Sequence, residues 1–247
     1  MKVVAVKTEK ITPGSIRLFE LLDKYIKEFF EGSILAITSK VISICEGRVV
    51  PLRDSDKDEL VRQEADLYLP KEENKYGVYL TIKNSQLVAT AGIDESNGAG
   101  HYVLWPADSQ KTANQIREYL TKRFNLKTAG VIITDSKTTP LRWGTSGAAI
   151  AHSGFLALRD YIGTPDIFGK EYLMTKAVIA DSLAASVVLA MGEGNEQTPI
   201  AVISDVPFVE FQDRNPTKEE IEELKINIDD DLYAPLLKSV NWRKGKK

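Results

Sequence analysis

The chain has 247 residues, of which 43% are hydrophobic, so it can bury a full core as one large domain or two small ones. A formal charge of −3 excludes the diffuse positive field that would hold a nucleic acid. No apolar run approaches the roughly 20 residues that cross a bilayer, and the lone Cys45 excludes an intrachain disulfide framework. We therefore expect a cytoplasmic protein without a membrane or nucleic-acid partner.

Strands and helices alternate irregularly along the first half of the chain. Apolar residues spaced three or four apart predict helices, and short apolar runs bounded by Gly, Asn or Ser predict strands. In chain order we predict a strand at Lys2–Val6, a helix over 16–30, an apolar strand over 34–44 interrupted at Ser39-Lys40, a charged helix over 55–69, and a hairpin of strands 76–82 and 86–91.

The second half continues in the same mixed pattern. We predict a helix at Ser109–Phe124, a strand over 130–133 that ends in the turn Thr134-Asp135-Ser136, a long helix over 171–191 that Gly192 stops, and a strand over 199–204. The pattern Thr217-x-x-Glu220 is a capping box that begins a further helix. Because the elements lack a βαβα rhythm, mixed sheets with helices are favoured over a doubly wound sheet.

The usual motifs of nucleotide and serine-hydrolase chemistry are absent, namely G-x-x-x-x-G-K-[ST], G-x-G-x-x-G and G-x-S-x-G. Oxygen-bearing side chains instead follow predicted elements. With two histidines and one cysteine, any metal would be held by oxygen ligands, which suit magnesium, manganese or calcium. The oxygen-bearing groups are Asp94 with Ser96 and Asn97, Asp135 with Ser136, and Glu193 after the long helix.

Two interpretations of these polar turns remain open. If the turns converge, Asp94, Asp135 and Ser136 could clamp ions about 4 Å apart and bridge phosphate oxygens during phosphoryl transfer. Alternatively, Asp, Asn and Ser occur there only because their side chains hydrogen-bond to the backbone of turns.

Three basic residues allow the same two interpretations. Lys40, Arg48 and Arg142 could neutralise phosphate or carboxylate groups, with arginine suited to bidentate contact, or could be ordinary surface charges. The basic C-terminal run Arg243-Lys244-Gly245-Lys246-Lys247 is expected to be a solvated, frayed terminus.

Several short motifs follow one another along residues 1–205. They are Ser39-Lys40-Val41-Ile42-Ser43-x-x-Glu46-Gly47-Arg48, Gly92-Ile93-Asp94-x-Ser96-Asn97, Ile133-Thr134-Asp135-Ser136 with Arg142 and Gly144, Asp160-x-x-Gly163-x-x-Asp166-x-x-Gly169, and Ala180-Asp181-x-Leu183-Ala184 followed by Met191-Gly192 and Pro199. In this order they resemble the coenzyme F420-0:gamma-glutamyl ligase family, and ordered motifs together are more specific than any one. The resemblance implies an α+β fold peculiar to that family, an intertwined homodimer, and a ligase-like domain over 1–205, which leaves 206–247 as a C-terminal helical extension with a basic tail.

The resemblance also implies a GTP-dependent ligase that joins L-glutamate to a phosphorylated deazaflavin precursor, with Mg²⁺ or Mn²⁺ and two ions in all. Phosphoryl transfer from GTP would give an acyl phosphate, which the α-amine of glutamate attacks. No residue is assigned as the general base. The implied metal ligands are Asp94, Asp135, Ser136 and Glu193, and the implied nucleotide contacts are Ser39, Lys40, Asn97, Gly192, Glu193 and Gly194.

Three positions depart from the family's pattern. Ile44 stands where the family usually has the second lysine of S-K-x-V-S-K, Lys7-Thr8-Glu9-Lys10-Ile11 replaces Gly-x-Pro-Glu-Ile, and Thr138-Thr139-Pro140 replaces Gly-Arg-Pro. They leave open whether the nucleotide is GTP or ATP and whether the acceptor is F420-0 or folate-type, as in related folate-metabolism gamma-glutamate ligases. A non-catalytic nucleotide- or cofactor-binding protein on the same scaffold is the alternative function.

Overall fold

A five-stranded mixed sheet lies at the centre of the computed structural model, which describes residues 1–246. The strands of the protein are β1 Lys2–Val6, β2 Ile34–Thr38, β3 Val49–Pro51, β4 Leu67–Leu69, β5 Leu80–Lys83, β6 Gln86–Ala89, β7 His101–Val103, β8 Gly130–Thr138, β9 Thr145–Ser153, β10 Leu158–Asp160, β11 Lys176–Val178, β12 Ile200–Ser204 and β13 Arg243–Lys244. The helices are α1 Leu18–Tyr25, α2 Ser39–Glu46, α3 Lys57–Glu64, α4 Ser109–Phe124, α5 Ile179–Met191, α6 Lys218–Glu222 and α7 Ala234–Leu237.

The central sheet has the strand order β1-β12-β2-β8-β9. Only the β2–β8 pair is parallel, and the other three pairs are antiparallel. The first four residues of β2 are all buried, because helices cover both faces of the sheet. The predicted class, α+β with mixed sheets and helices, is confirmed.

Helices α1, α2 and α4 cover one face of the sheet, and α5 covers the other. Helix α4 has the predicted bounds: the Asp108 carboxylate caps its first turn by accepting from the Lys111 amide at 2.9 Å. Its Ala113, Ile116 and Leu120 are fully buried in the sheet core. Burying a side chain such as Leu120 contributes roughly 1.5–3 kcal/mol, so this apolar stripe rather than helix propensity holds α4 in place.

A smaller lobe consists of α3 and a four-stranded sheet in the order β13-β4-β5-β6. The predicted hairpin is confirmed in shorter form as β5 and β6, and its turn residues Asn84 and Ser85 both have positive φ. The core of this lobe is small and separate from the two sheet cores. It contains Val61, Ala65, Tyr79, Ala91, Ile93 and Leu104.

The predicted apolar strand over 34–44 is wrong in its second part, because Ser39–Glu46 forms helix α2. The Thr38 hydroxyl caps the helix by accepting from the Val41 amide at 3.4 Å, and Gly47 ends it in the left-handed region. The β-branched residues of this run suit a strand locally. Burial against α1, α4 and the sheet outweighs that preference.

Three predicted helices are too long. The segment 16–30 is helical only over Leu18–Tyr25, and 55–69 is helical only over Lys57–Glu64 before β4 begins. The helix predicted over 171–191 begins at Ile179, because β11 pairs with β10 just before it. Over 1–246, no helix is both long and apolar enough to cross a membrane.

Residues 206–246 pack back on both lobes. Phe211 lies against the α5-side core, and Arg117 of α4 donates to the Asn215 side chain at 2.7 Å. The basic end was predicted to be frayed, and this is wrong for Arg243–Lys244, which pairs with β4 as strand β13. Lys247 of that prediction lies outside the described residues.

Candidate active site

The parallel pair at the centre of the sheet brings two predicted site segments to one edge. Strands β2 and β8 run in register with Thr38 opposite Thr134, so their carboxyl ends meet. Strand β2 leads directly into α2, whose first residues are Ser39 and Lys40, and β8 continues to Asp135. The N-terminus of a helix carries unpaired N–H groups and a partial positive charge, so this edge suits an anion.

Asp94 reaches the same edge from the loop after β6. Its backbone pairs with Val103, and its Oδ1 accepts from the Ser96 amide and hydroxyl, both at 2.9 Å. The Lys40 ammonium donates to Asp94 Oδ2 at 2.6 Å and to the Ser96 carbonyl at 3.0 Å. Burial alone would raise the pKa of Asp94, but the Lys40 ammonium and the hydrogen bonds from Ser96 together outweigh it and hold this pKa below its usual range.

Asp135 lies within strand β8, not in the turn that was predicted to follow Ile133. A bulge between Ile133 and Thr134 interrupts the pairing with β9, which then continues to Thr138. The Trp105 indole donates to Asp135 Oδ2. Burial raises the pKa of Asp135 to about 6, and the negative charge of Asp94 adds to the rise.

Asp94 and Asp135 therefore converge, as the first interpretation of the polar turns requires. Both carboxylates line one narrow cleft between the helix N-terminus and the loop after β6. The other residues that line this cleft are Ser39, Lys40, Gly92, Val103 and Leu104.

A second polar group adjoins the first. The Ser136 hydroxyl lies 2.8 Å from both carboxylate oxygens of Glu193, and the Thr145 hydroxyl donates to the same carboxylate at 3.2 Å. The Asn97 amide donates to the Gly194 carbonyl at 3.0 Å. The loop after β6 and the loop that follows α5 at Gly192 are thus in direct contact.

No three His, Cys, Asp or Glu side chains in the described chain gather closely enough to hold a metal by themselves. The predicted ligands form two separate groups, Asp94 with Asp135 and Ser136 with Glu193. Mg²⁺ in nucleotide enzymes is usually held by one or two carboxylates plus substrate phosphates. Asp94 and Asp135 are hard oxygen donors, and Asp135 is buried beside the negative charge of Asp94, so these two residues fit a divalent cation.

Comparison with known proteins decides the family. Residues 5–205 match the model of the family described as F420-0:Gamma-glutamyl ligase. The chain belongs to this family. It is therefore an amide-bond-forming ligase, and the resemblance found in the ordered motifs is confirmed.

Individual relatives agree with the family match. The coenzyme F420:L-glutamate ligase of Methanocaldococcus jannaschii is 32% identical over 231 residues, which cover 83% of this chain and 90% of the relative. The enzyme of the same name from Methanococcus maripaludis strain C6 is 34% identical over 77% of this chain and 82% of the relative. That of Archaeoglobus fulgidus is 33% identical over 75% and 80%, respectively.

The two predicted arginine contacts lie away from the cleft of this ligase. Arg48 donates to Glu64 at 2.8 Å and to the Trp105 carbonyl at 3.2 Å, so its guanidinium braces the wall behind the cleft. Arg142 lies in the exposed turn that joins β8 to β9. Neither guanidinium is among the groups that line the cleft.

Two residues of the ligase that sequence reasoning did not assign shape the cleft. Gly92 has φ +71°, and a methyl group added there would overlap the Trp105 indole. Gly92 occurs in one of the ordered motifs, which was a signal of a special backbone position. Trp105 carried no such signal, because a tryptophan in an apolar run is typical of any core.

Proposed function

We propose that the chain is a GTP- or ATP-dependent gamma-glutamyl ligase that adds L-glutamate to an F420-0-type acceptor with the help of divalent metal. The observation that carries this proposal is the pair Asp94 and Asp135 on one cleft at the N-terminus of α2. The relatives are named for coenzyme F420 and L-glutamate, which supports the acceptor and the amino acid. Family membership favours a ligase over the non-catalytic binding protein considered above.

Asp94 and Asp135 would hold one cation, and Ser136 with Glu193 would hold a second near it. Bound Mg²⁺ or Mn²⁺ would supply charge neutralisation for the phosphoryl group in transfer. A bound cation would take the place of the Lys40 ammonium as the partner of Asp94, and Lys40 could then turn toward a phosphate. Ser39, the first residue of α2, would offer its amide and hydroxyl to the same phosphates.

The nucleotide would lie along the edge where three segments meet. The Asn97–Gly194 hydrogen bond joins the loop after β6 to the loop after α5, so both loops would enclose the nucleotide together. The backbone of Gly192 and Gly194 and the side chain of Glu193 complete that wall. Glycines suit close approach of backbone to a phosphate or sugar.

The reaction has two steps, formation of an acyl phosphate and attack of the glutamate amine on it. A carboxylate oxygen of the acceptor attacks the γ-phosphorus of the nucleotide, the bond to the β-phosphate oxygen breaks, and the nucleoside diphosphate leaves. The α-amine of glutamate then attacks the acyl carbon of the acyl phosphate, inorganic phosphate leaves with the bonding electrons, and the amine gives up a proton. Lys40 and the helix N-terminus oppose the negative charge that builds up on the phosphoryl oxygens.

Exposed apolar surface supports a homodimer. The turn between β8 and β9 exposes 92% of Trp143, and the segment before β11 exposes 88% of Phe168. Large exposed apolar side chains can mark interaction surfaces, and most oligomers pair identical chains. Light scattering should show a dimer for the wild type and a weaker one for Phe168→Glu, whereas Leu232→Glu, at an exposed apolar residue elsewhere, should leave it unchanged. A monomeric wild-type protein would contradict the dimer.

Turnover with defined substrates tests the function. The purified protein is incubated with Mn²⁺ or Mg²⁺, glutamate, GTP or ATP, and either F420-0 or a folate acceptor, and products are weighed by mass spectrometry. The proposal expects a nucleoside diphosphate, phosphate, and F420-0 heavier by one glutamyl residue. A glutamylated folate with F420-0 unchanged would assign the folate-type acceptor instead. Nucleotide binding without any product would refute the proposed reaction.

A further inference from the structure

One buried side chain connects the cleft to the smaller lobe. Trp105 is 2% exposed, and its indole N–H donates to Oδ2 of Asp135. A buried indole N–H needs an acceptor, and most find a backbone carbonyl or a neutral side chain. Here the acceptor is a carboxylate that lines the cleft, so the orientation of that carboxylate depends on where the indole lies.

The indole itself is held from several sides. Gly92 lies beside Nε1 of the indole, where a side chain would overlap the ring. Arg48 donates to the Trp105 carbonyl at 3.2 Å, and the Lys83 ammonium lies 5.2 Å from the ring centroid. Both cations also donate to the Glu64 carboxylate, Arg48 to Oε1 at 2.8 Å and Lys83 to Oε2 at 2.7 Å. A closed ring of contacts therefore joins four residues, namely Trp105, Arg48, Glu64 and Lys83.

We infer that Trp105 is a positioning residue for Asp135, and that its indole N–H fixes one carboxylate oxygen so that the other is presented to a divalent cation in the cleft. This inference rests on the proposed function, in which Asp135 is a metal ligand. Partners of this kind orient a metal ligand before the metal arrives, so less conformational freedom is lost on binding. The ring of contacts transmits the packing of the smaller lobe to the cleft.

Trp105→Phe tests the inference because phenylalanine keeps an aromatic ring and removes the N–H. We expect the dissociation constant for Mn²⁺ alone, measured from the electron paramagnetic resonance signal of free Mn²⁺, to rise ~10-fold. Trp242→Phe is the matched control. Its indole N–H donates to the Leu237 carbonyl at 2.7 Å in the C-terminal segment, so the same chemical change there should leave Mn²⁺ affinity unchanged.

Kinetics separates positioning from a general loss of structure. In Trp105→Phe the Mn²⁺ concentration for half-maximal rate should rise with the dissociation constant, while kcat at saturating Mn²⁺ stays within ~3-fold of the wild type. Gly92→Ala, which displaces the indole and keeps its N–H, should shift Mn²⁺ affinity in the same direction. Circular dichroism of both variants confirms that the compared proteins are folded.

The outcomes distinguish the inference from the proposed function. If Asp135→Asn weakens Mn²⁺ binding and Trp105→Phe and Gly92→Ala do not, Trp105 has no positioning role, and the metal site stands. If Asp135→Asn also binds Mn²⁺ like the wild type, the proposed metal site itself is refuted. Weaker binding in all three variants with an unchanged Trp242→Phe supports the inference.

Discussion

The two acidic groups of the candidate site differ in how they are held. Asp94 and Asp135 lie in a cleft where Lys40 contacts one carboxylate and the Trp105 indole contacts the other. Glu193 is exposed, and within residues 1–246 only hydroxyl groups contact its carboxylate. The first group is fixed by charge and packing, whereas the second is fixed by hydrogen bonds that water can replace.

This difference indicates that the two groups have different tasks. A carboxylate kept in place without its ligand can bind a cation at little entropic cost, which suits Asp94 and Asp135. An exposed carboxylate held only by hydrogen bonds can be rearranged by a ligand, so Glu193 would take up its metal-binding position when nucleotide and metal are present. The same contrast predicts that changes at the first group should have larger effects than changes at the second.

The largest effect is expected from Asp135→Asn on turnover. Asparagine keeps the shape and can still accept from Trp105, but it loses the charge that would bind the cation. We expect kcat to fall by at least ~100-fold, because Asp135 is proposed as a direct ligand and changes to outer-shell partners of a metal already cost ~10–100-fold. The measurement is the rate of nucleoside diphosphate release at saturating Mn²⁺. A variant with full activity would remove Asp135 from the metal site.

The same substitution should make the metal-free protein more stable at pH 8. Burial raises the pKa of Asp135 from an ordinary 3.8 to about 6, so between these values the folded chain binds a proton that the unfolded chain lacks. The free energy of unfolding therefore falls as pH rises through this window, and above it the ionised Asp135 costs about 2–3 kcal/mol.

Urea unfolding in chelator measures this effect. Asp135→Asn should gain most of that stability at pH 8 and much less at pH 4.5, where the wild-type carboxyl is protonated in the folded state. A variant that is less stable than the wild type at pH 8 would show that burial of the ionised Asp135 carboxylate does not destabilise the folded protein.

Glu64→Gln tests the bracing behind the first group. The substitution removes the negative charge that pairs with both Arg48 and Lys83. Lys83 is almost fully buried, so its ammonium would be left without this charged partner in the protein interior. We expect a loss of about 2 kcal/mol in the free energy of unfolding, less than the ~3–5 kcal/mol of a fully buried pair because Glu64 is only partly buried. Glu9→Gln, which breaks an exposed pair with Lys24, is the control and should have no measurable effect. Equal stability of the two variants would show that the ring of contacts is not a brace.

The smallest effect is expected from Glu193→Gln in the exposed group. Glutamine can still bond to Ser136 and Thr145, and only the charge is lost. We expect activity to fall ~10-fold with unchanged thermal stability, because the loop does not depend on this charge for its fold. A loss as large as that of Asp135→Asn would contradict the difference between the two groups.

Local signals were sufficient for parts of the fold. The capped, periodic helix Ser109–Phe124 and the hairpin with Asn84-Ser85 at its turn were predictable because their information lies within a few residues. Helix α2 was not, since its apolar and β-branched run is typical of a strand, and only the surrounding core makes it helical. The start of α5 was missed because the pairing of β11 with β10 is not visible in the local spacing.

The candidate site shows the same division. Its oxygen-bearing residues were predictable by type, but their meeting depends on contacts between distant segments, such as Lys40 with Ser96 and Asn97 with Gly194. No local pattern reports such a contact. Trp105 was missed for the same reason, because its partner Asp135 lies 30 residues further along the chain.

A crystal structure of the wild-type protein with Mn²⁺ and GDP would show which residues hold the metal. The anomalous signal of manganese locates the ion independently of any assumption about its ligands. We expect an ion that contacts the carboxylates of both Asp94 and Asp135 and an oxygen of the nucleotide phosphates. An ion bound elsewhere, with Asp94 still paired to Lys40 and Asp135 making no contact to metal or phosphate, would contradict it.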